Sequence, residues 1–350
     1  LGVRYANRED IKSALDTRST TRTDAQIDRA LASGSKAVND LCHRLFYPQL
    51  GVRYFDWPDE NEPYGKSWRL WLHQHEAISV TSLVAGGVTI PSSDYHLEPV
   101  NDGPPYTHIE IDRSSNAAFG FVGTPQRAIV VTGVFGGWDE EERVATVSGT
   151  ITAAHSTLTF TPEQVGVGDT VHIDDEYIHL VGLGYADSGQ NLGGAGLAAS
   201  TADVSVPVSN GSGFVVGETI RIDGEAMQIL AITGDTLTVR RAHDGSVLAA
   251  HTAGVDIYAE RAFKAQRGAL GSVAAEHLDG TNVYRLVYPP LVKDLAVAET
   301  LTRLQNEQSG YARPISNFHK SVIDAPATGI NALREDCYAS HARRMRTRAI

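Results

Sequence analysis

Four short runs in this 350-residue chain hold side chains that do chemistry in other proteins. His73-Gln74-His75-Glu76 sets two imidazoles two residues apart. On a strand that spacing puts both on one face, as some metal sites require. No third ligand stands at a recognisable spacing and no HExxH occurs, so a structural or surface role fits better. Ser33-Gly34-Ser35-Lys36 has a Ser-x-x-Lys spacing on a helix, without the companion motifs of the acyl-enzyme families. Asp174-Asp175-Glu176 can attract a cation, but its spacing is not that of an EF-hand, and a solvated turn accounts for it. Gly182-Leu183-Gly184 follows a strand, but no helix follows it, so the dinucleotide fingerprint fails in context. No Gly-x-Ser-x-Gly, P-loop or CxxC occurs. The reading is therefore a chain with no catalytic residue, no metal site and no cofactor, and not an enzyme.

The elements that would carry these residues differ along the chain. Both ends read as helices. Asn7 caps a short helix from Arg8 to about Thr17. Thr23 and Gln26 have capping-box spacing, and Ile27, Leu31, Val38, Leu41 and Leu45 then share one helical face up to Tyr47-Pro48. Leu291, Leu295, Ala298, Leu301 and Leu304 keep helical spacing after Pro289-Pro290. A last helix aligns Ile330, Leu333, Cys337 and His341 and runs into a tail with Arg343, Arg344, Arg346 and Arg348. The middle reads as strands: 68–73, 78–83, 88–90 after the Gly86-Gly87 turn, 95–97, 108–111 and 128–134. No strand–helix–strand alternation appears, which argues against a parallel doubly wound sheet.

Charge follows the same division. The net −12 conceals 8 Lys+Arg against 6 Asp+Glu in residues 1–50 and 13 against 8 in 261–350. Residues 51–142 carry 5 against 14, and 143–260 carry 4 against 14. So acidic a chain is a poor candidate for gripping nucleic acid over its whole surface. No apolar run approaches the roughly 20 residues that cross a bilayer. The first ten residues lack the apolar stretch of a signal peptide. Cys42 and Cys337 imply no disulfide framework.

The chain also repeats itself. Gly168-Asp169-Thr170-Val171-His172-Ile173-Asp174-Asp175-Glu176 returns 49 residues later as Gly217-Glu218-Thr219-Ile220-Arg221-Ile222-Asp223-Gly224-Glu225, while Ile178 and Ile229 fall out of phase. Arg241, Gly245, Ser246, Val247, His251, Gly254 and Tyr258 return 26 residues later as Arg267, Gly271, Ser272, Val273, His277, Gly280 and Tyr284. Two offsets fit one arrangement, a small β-module interrupted by a second copy of itself. The first copy is then 143–184 plus 261–287 and the nested copy 185–260, entered through the glycine-rich linker 188–196. Un-nested tandem modules are the competing arrangement. His251 and His277 take equivalent loop positions, where a ring nitrogen bonded to nearby backbone orders the loop, with metal binding as the minority reading.

The order of elements resembles the head–tail adaptor (connector) proteins of long-tailed bacteriophages. The residues that carry the likeness are the short and long helices of 7–47, Trp68-Arg69-Leu70-Trp71-Leu72, Asp94-Tyr95-His96-Leu97-Glu98-Pro99, and Ile129-Val130-Val131-Thr132-Gly133-Val134-Phe135-Gly136-Gly137-Trp138 before the closing helices. A simple adaptor passes almost directly from the Gly-Trp segment to those helices, whereas residues 143–262 intervene here.

The resemblance implies an α+β fold. Its helical-bundle body would come from residues 1–142 and 288–350, with an antiparallel β-rich middle and the nested insertion. It implies a structural protein forming a ring, usually of twelve copies in such adaptors, below the portal, joining capsid to tail and extending the DNA channel. The implied partners are copies of itself, the portal protein, a stopper or tail-completion protein, and genomic DNA that passes without specific binding; no membrane is involved. The implied place is the virion neck, after assembly in the host cytoplasm. Arg343, Arg344, Arg346 and Arg348 would contact the portal. Another neck or tail component, or a carbohydrate- or surface-binding β-module using Trp57, Trp68, Trp71 and Trp138, are the alternatives.

Overall fold

The computed structural model describes residues 2–15, 24–59, 65–161, 165–308 and 324–343. Helix α1 (Arg8–Ala14) starts where the Asn7 side chain accepts the Asp10 N–H and the Asp10 carboxylate accepts the Asn7 N–H, a reciprocal cap. Helix α2 (Asp24–Cys42) stops where His43 adopts a left-handed φ of 50°, a few residues before Pro48. Its expected cap, Thr23, lies outside the described residues. Helix α3 (Pro290–Gln308) opens on a proline, whose missing N–H costs nothing in a first turn. Helix α4 is Asp324–His341.

Strands β1 (Gln49–Phe55), β2 (Arg69–Trp71), β3 (Ala77–Ala85), β4 (Val88–Ile90), β5 (Tyr95–Glu98), β6 (His108–Ile111) and β7 (Ile129–Phe135) form two small sheets, ordered β1-β7-β3-β4 and β2-β6-β5. Phe55, Leu70, Leu72, Leu83, Ile109, Ile129 and Phe135 come from both sheets into one core. The largest sheet comes from β8 (Glu141–Val147), β9 (Thr157–Leu158), β10 (Phe160–Thr161), β11 (Thr170–Ile173), β12 (Glu176–Asn191), β13 (Ser205–Pro207), β14 (Thr219–Ile222), β15 (Glu225–Thr233), β16 (Thr236–Arg240), β17 (Asp256–Ala269) and β18 (Asn282–Leu286). Its order is β10-β8-β18-β11-β12-β17-β14-β15-β16-β13, with β9 also on β17. Every described strand pair is antiparallel.

The expected helical-bundle body is overturned. The three sheets hold more of the chain than the four described helices do. The helices form a minor layer, with α2 and α3 packed side by side where Gly34 lets them close in. A Cβ on Gly34 would lie 2.6 Å from Thr300 Oγ1 and 2.9 Å from the Ala296 carbonyl oxygen. The helical periodicity of the two chain ends is real but covers little chain, and most buried apolar side chains sit on strands. On α3 the buried stripe is Val292, Leu295, Ala296, Glu299, Thr300 and Leu304, rotated from the one read off the leucines. Strand β1, which alternates through Val52, Arg53, Tyr54 and Phe55, was not expected at all.

The two copies of the module keep separate cores. One holds Val144, Val171, Ile173, Ile178 and Val283, and the other Val206, Ile220, Ile222, Met227 and Ile257. Their backbones are nonetheless one sheet. β11 pairs with β18, and β14 pairs with the start of β17, in the same relative register. The second copy is inserted into the hairpin that would join β12 to the end of β17, and both strands run straight through the junction. The glycine-rich stretch expected as an entry linker begins as the end of β12, with Gln190 and Asn191 paired to Ile257 and Asp256. Hydrogen bonds also resolve the phase: Leu180, not Ile178, is the counterpart of Ile229, because Gly168 N–H and Gly217 N–H donate to the carbonyls of Leu180 and Ile229 at 2.8 Å each.

Candidate functional site

Two places gather buried polar groups. The first is a crossing beneath the C-terminal segment, built on Thr132-Gly133-Val134-Phe135-Gly136-Gly137-Trp138. Each glycine there is a point of close approach. A Cβ on Gly133 would fall on the Ser79 carbonyl oxygen, beside an irregularity of β3 between Val80 and Ser82. A Cβ on Gly136 would fall on the Tyr47 carbonyl oxygen, and one on Gly137 would lie 2.5 Å from Arg44 Cδ. Gly136 N–H donates to the Glu76 carbonyl at 2.9 Å and Gly137 N–H to that of Leu45 at 2.8 Å. Trp138 Nε1 donates to the Val287 carbonyl at 2.8 Å. The end of α2, β3, β7 and the entry to α3 therefore meet here.

Because no side chain fits between those backbones, Gly133→Ala is expected to cost at least about 1–3 kcal/mol through overpacking. A urea unfolding curve checks this; an unchanged midpoint would show that β3 yields at that point.

A charged cluster sits on the crossing. Arg44 makes a two-pronged contact with Glu76, Nε and NH2 each donating at 2.8 Å, and its NH1 reaches the His341 carbonyl at 3.3 Å. Arg343 N–H donates to the Cys42 carbonyl at 3.0 Å. Burial pulls the Arg343 guanidinium below its usual value, Glu76 opposes that fall and Arg44 adds to it. Thus one of the four expected tail arginines is rooted in the crossing; Arg344, Arg346 and Arg348 lie outside the described residues.

The motifs weighed for chemistry resolve into structural roles. Glu76 of the His73–Glu76 run is taken by Arg44. His75 packs edge-on to Phe55, and burial lowers the pKa of its ring, with Arg53, Arg343 and His73 adding to the fall. Among the described residues, no group of three or more His, Cys, Asp or Glu is arranged to hold a metal ion. Ser35 Oγ accepts the Tyr5 N–H at 3.0 Å, and Lys36 pairs with Asp40 on the surface. Gly182 and Gly184 lie inside β12 opposite Lys264 and Ala262.

The second place is duplicated. In the nested copy the Glu225 carboxylate is fully buried and receives Arg241 Nε and NH2, each at 2.8 Å. It also accepts the N–H groups of Ala242 and Ala249 at 2.8 and 2.9 Å and faces His251 Nε2 at 3.0 Å. His251 Nδ1 faces Asp223 at 2.8 Å. Arg241 further donates to the carbonyls of Ala198, Asp203 and Ala249. In the first copy, Glu176 receives Arg267 at 2.8 and 2.7 Å, Gly268 N–H at 2.8 Å and Ala275 N–H at 3.0 Å. His277 bridges Glu176 at 2.9 Å and Asp174 at 2.8 Å, and Arg267 reaches the carbonyls of Thr152, His155 and Ala275.

Each network clamps a long loop to a hairpin. In each network the buried glutamate is balanced by its arginine, and the imidazole bridges the two acids with both ring nitrogens. That compensation is what lets such a set sit out of water. Two expectations need correction. Glu176 is a buried anchor rather than part of a solvated turn, since its side chain must face the arginine that returns from β17. The paired histidines bond carboxylates rather than backbone. The repeat had already marked Arg241/Arg267, His251/His277 and Asp174/Asp223 as equivalent; only folding shows which of them touch.

A scan of protein-family models, a search of curated proteins and a search of solved structures each returned no match.

Proposed function

We propose that this chain is a structural assembly protein of a bacteriophage neck, a ring component between portal and tail. The observation that carries the assembly reading is a difference between the two β-modules. In the first copy the loop around Val167 is covered by the chain's own start: Arg8 N–H donates to the Val167 carbonyl at 3.0 Å, and Gly166 and Gly168 lie against Asn7 and Ala6. Val167 is 4% exposed. Among the described residues, none covers the counterpart loop of the nested copy in this way. Val215, Val216 and the adjacent Leu230 are 67%, 57% and 47% exposed. A module face that one copy buries and the other presents bare suits a protein completed by a neighbour.

The phage setting rests on the order of elements and on the Gly133–Trp138 segment, whose glycines are the close contacts described above. A net charge of −12 suits a conduit that must not hold DNA, and the basic tail beginning at Arg343 suits an anchor on an acidic portal surface. The carbohydrate alternative is weakened by what the tryptophans do. Trp57 Nε1 donates to the Phe119 carbonyl at 2.9 Å, and Trp68 lies under Lys66, Arg69 and Arg113 at 4.8, 5.0 and 5.5 Å.

A symmetric reconstruction of the neck of virions that carry this chain tests the reading. A closed ring of copies against the portal is the expected result, and absence of the chain from purified virions overturns it. Val216→Asp is expected to leave the isolated chain's stability within about 0.5 kcal/mol, as surface changes do, while reducing its incorporation into virions. Unreduced incorporation would remove the bare face from the assembly reading.

A further inference from the structure

Cys42 and Cys337 are 295 residues apart in sequence, yet their Sγ atoms are 3.8 Å apart. Cys42 is the last residue of α2 and Cys337 lies in the last turns of α4. Both are fully buried, among Val38, Phe46, Val292 and Leu295. They are the only cysteines in the chain. A disulfide needs its sulfurs at about 2.0 Å, so these two thiols are already in contact and must close by a little under 2 Å.

We infer that Cys42 and Cys337 form a latent dithiol latch, oxidised to an intramolecular disulfide by a low-molecular-weight disulfide such as oxidised glutathione. The Cys42 thiolate attacks one sulfur of glutathione disulfide, breaks that S–S bond and releases a glutathione thiolate, which takes up a proton. The Cys337 thiol gives up its proton and its sulfur attacks Cys42 Sγ in the mixed disulfide. The Cys42–Cys337 bond forms and a second glutathione leaves. Two protein thiols are oxidised by two electrons, and one glutathione disulfide is reduced to two glutathiones. The surroundings fit that order of attack. The contact between the two sulfurs, in which either thiol can donate, lowers the pKa of Cys42 against the effect of burial, with Arg44 assisting. That same hydrogen bond, together with burial, raises the pKa of Cys337.

The latch acts on the root of the basic tail. Arg343 N–H is bonded to the carbonyl of Cys42 itself. Closing the bond would therefore fix α4 and the start of the tail to α2, whereas in the reduced chain α4 is held by packing and by pairs such as Arg334–Glu299 at 2.6 Å. The inference does not depend on the phage reading.

The test treats the purified full chain with graded ratios of reduced to oxidised glutathione by two routes. One starts from the native chain. The other dilutes reduced, denatured chain into the same buffers, so that burial of the thiols cannot block reaction. After acid quench and alkylation, intact mass and peptide mapping are read. The expected result is a monomer lighter by two hydrogens, a linked Cys42–Cys337 peptide, and slower tryptic cleavage after Arg334. Cys337→Ser is expected to lose the linked peptide and to show at most a glutathione adduct on Cys42. Free or glutathionylated thiols at both positions by both routes, or a bond between chains instead, would overturn the latch.

Discussion

Glu225→Ala is expected to destabilise the nested module by about 3–5 kcal/mol, and Glu176→Ala the first module by a similar amount, because each leaves a buried arginine without its counter-charge and a buried histidine without its partner. The cost does not come from one lost bond. Glu225 is the common acceptor for Arg241, His251 and two backbone N–H groups, so its removal strands four donors in a site closed to water. The two variants should differ in what they release. Glu225 and Arg241 are 16 residues apart, so that loss stays within one hairpin and its loop. Glu176 and Arg267 are 91 apart and span the whole inserted copy. Glu176→Ala should therefore loosen the return strand β17 and deprotect its amides around Arg267 in hydrogen exchange, while Glu225→Ala leaves them protected. Urea unfolding followed by both methods tests this. A loss below about 1 kcal/mol for either variant, the size of a single ordinary hydrogen bond, would mean that the networks do not hold the loops.

Acid is expected to unfold the chain in two stages. His179 is buried against Thr170, its Nδ1 at 2.8 Å from Thr170 Oγ1, and burial lowers its pKa from 6.5 to about 4. Between those values the unfolded chain binds a proton that the folded chain refuses. The contribution of a neutral His179 is complete above pH 6.5 and is lost as pH falls towards 4. The glutamates act lower. Burial alone would raise the pKa of Glu176, but Arg267, the N–H groups of Ala275 and Gly268, and His277 outweigh it and hold the carboxyl at about 2. Glu225 is likewise held at about 2, against burial, by Arg241, Ala249, Ala242 and His251. A carboxylate depressed in the fold gives stability that is complete above its ordinary 4.5 and lost as pH falls towards 2. Denaturant midpoints measured from pH 8 to pH 2 should thus decline first between 6.5 and 4 and then more steeply below 4.5. His179→Gln should remove the first decline and keep the second. A flat profile down to pH 3 would contradict both assignments.

Much of the local structure was legible in the residues. Asn7 with Asp10 specifies a helix start through bonds made within four residues. Alternation over 78–83 and 129–134 specifies strands because a pleated backbone turns successive side chains to opposite faces. The repeat made the equivalence of the two modules visible in two constant offsets. Long-range pairing was not legible. Gly133, Gly136 and Gly137 show in the sequence only as permissive residues, and what they admit comes from Ser79, Tyr47 and Arg44. Glu176 sits in an acidic run, where solvation is the simplest reading until Arg267 is seen to arrive from beyond the inserted copy. The helical bundle was overestimated for a related reason. Periodicity reports which face of an element is apolar, but not how much of the molecule that element makes up.

By itself, then, the sequence determined many of the local elements, though not β1, together with the acidic middle between basic ends and the existence of two copies of one module. These follow from neighbours along the chain and from a repeat that needs no coordinates. The tertiary structure decided that the two copies share one sheet, that two arginines neutralise two buried glutamates, that Cys42 meets Cys337, and that one module face is covered while its counterpart is bare. Each of those depends on segments tens to hundreds of residues apart coming into contact, which the chain achieves only by burying them together.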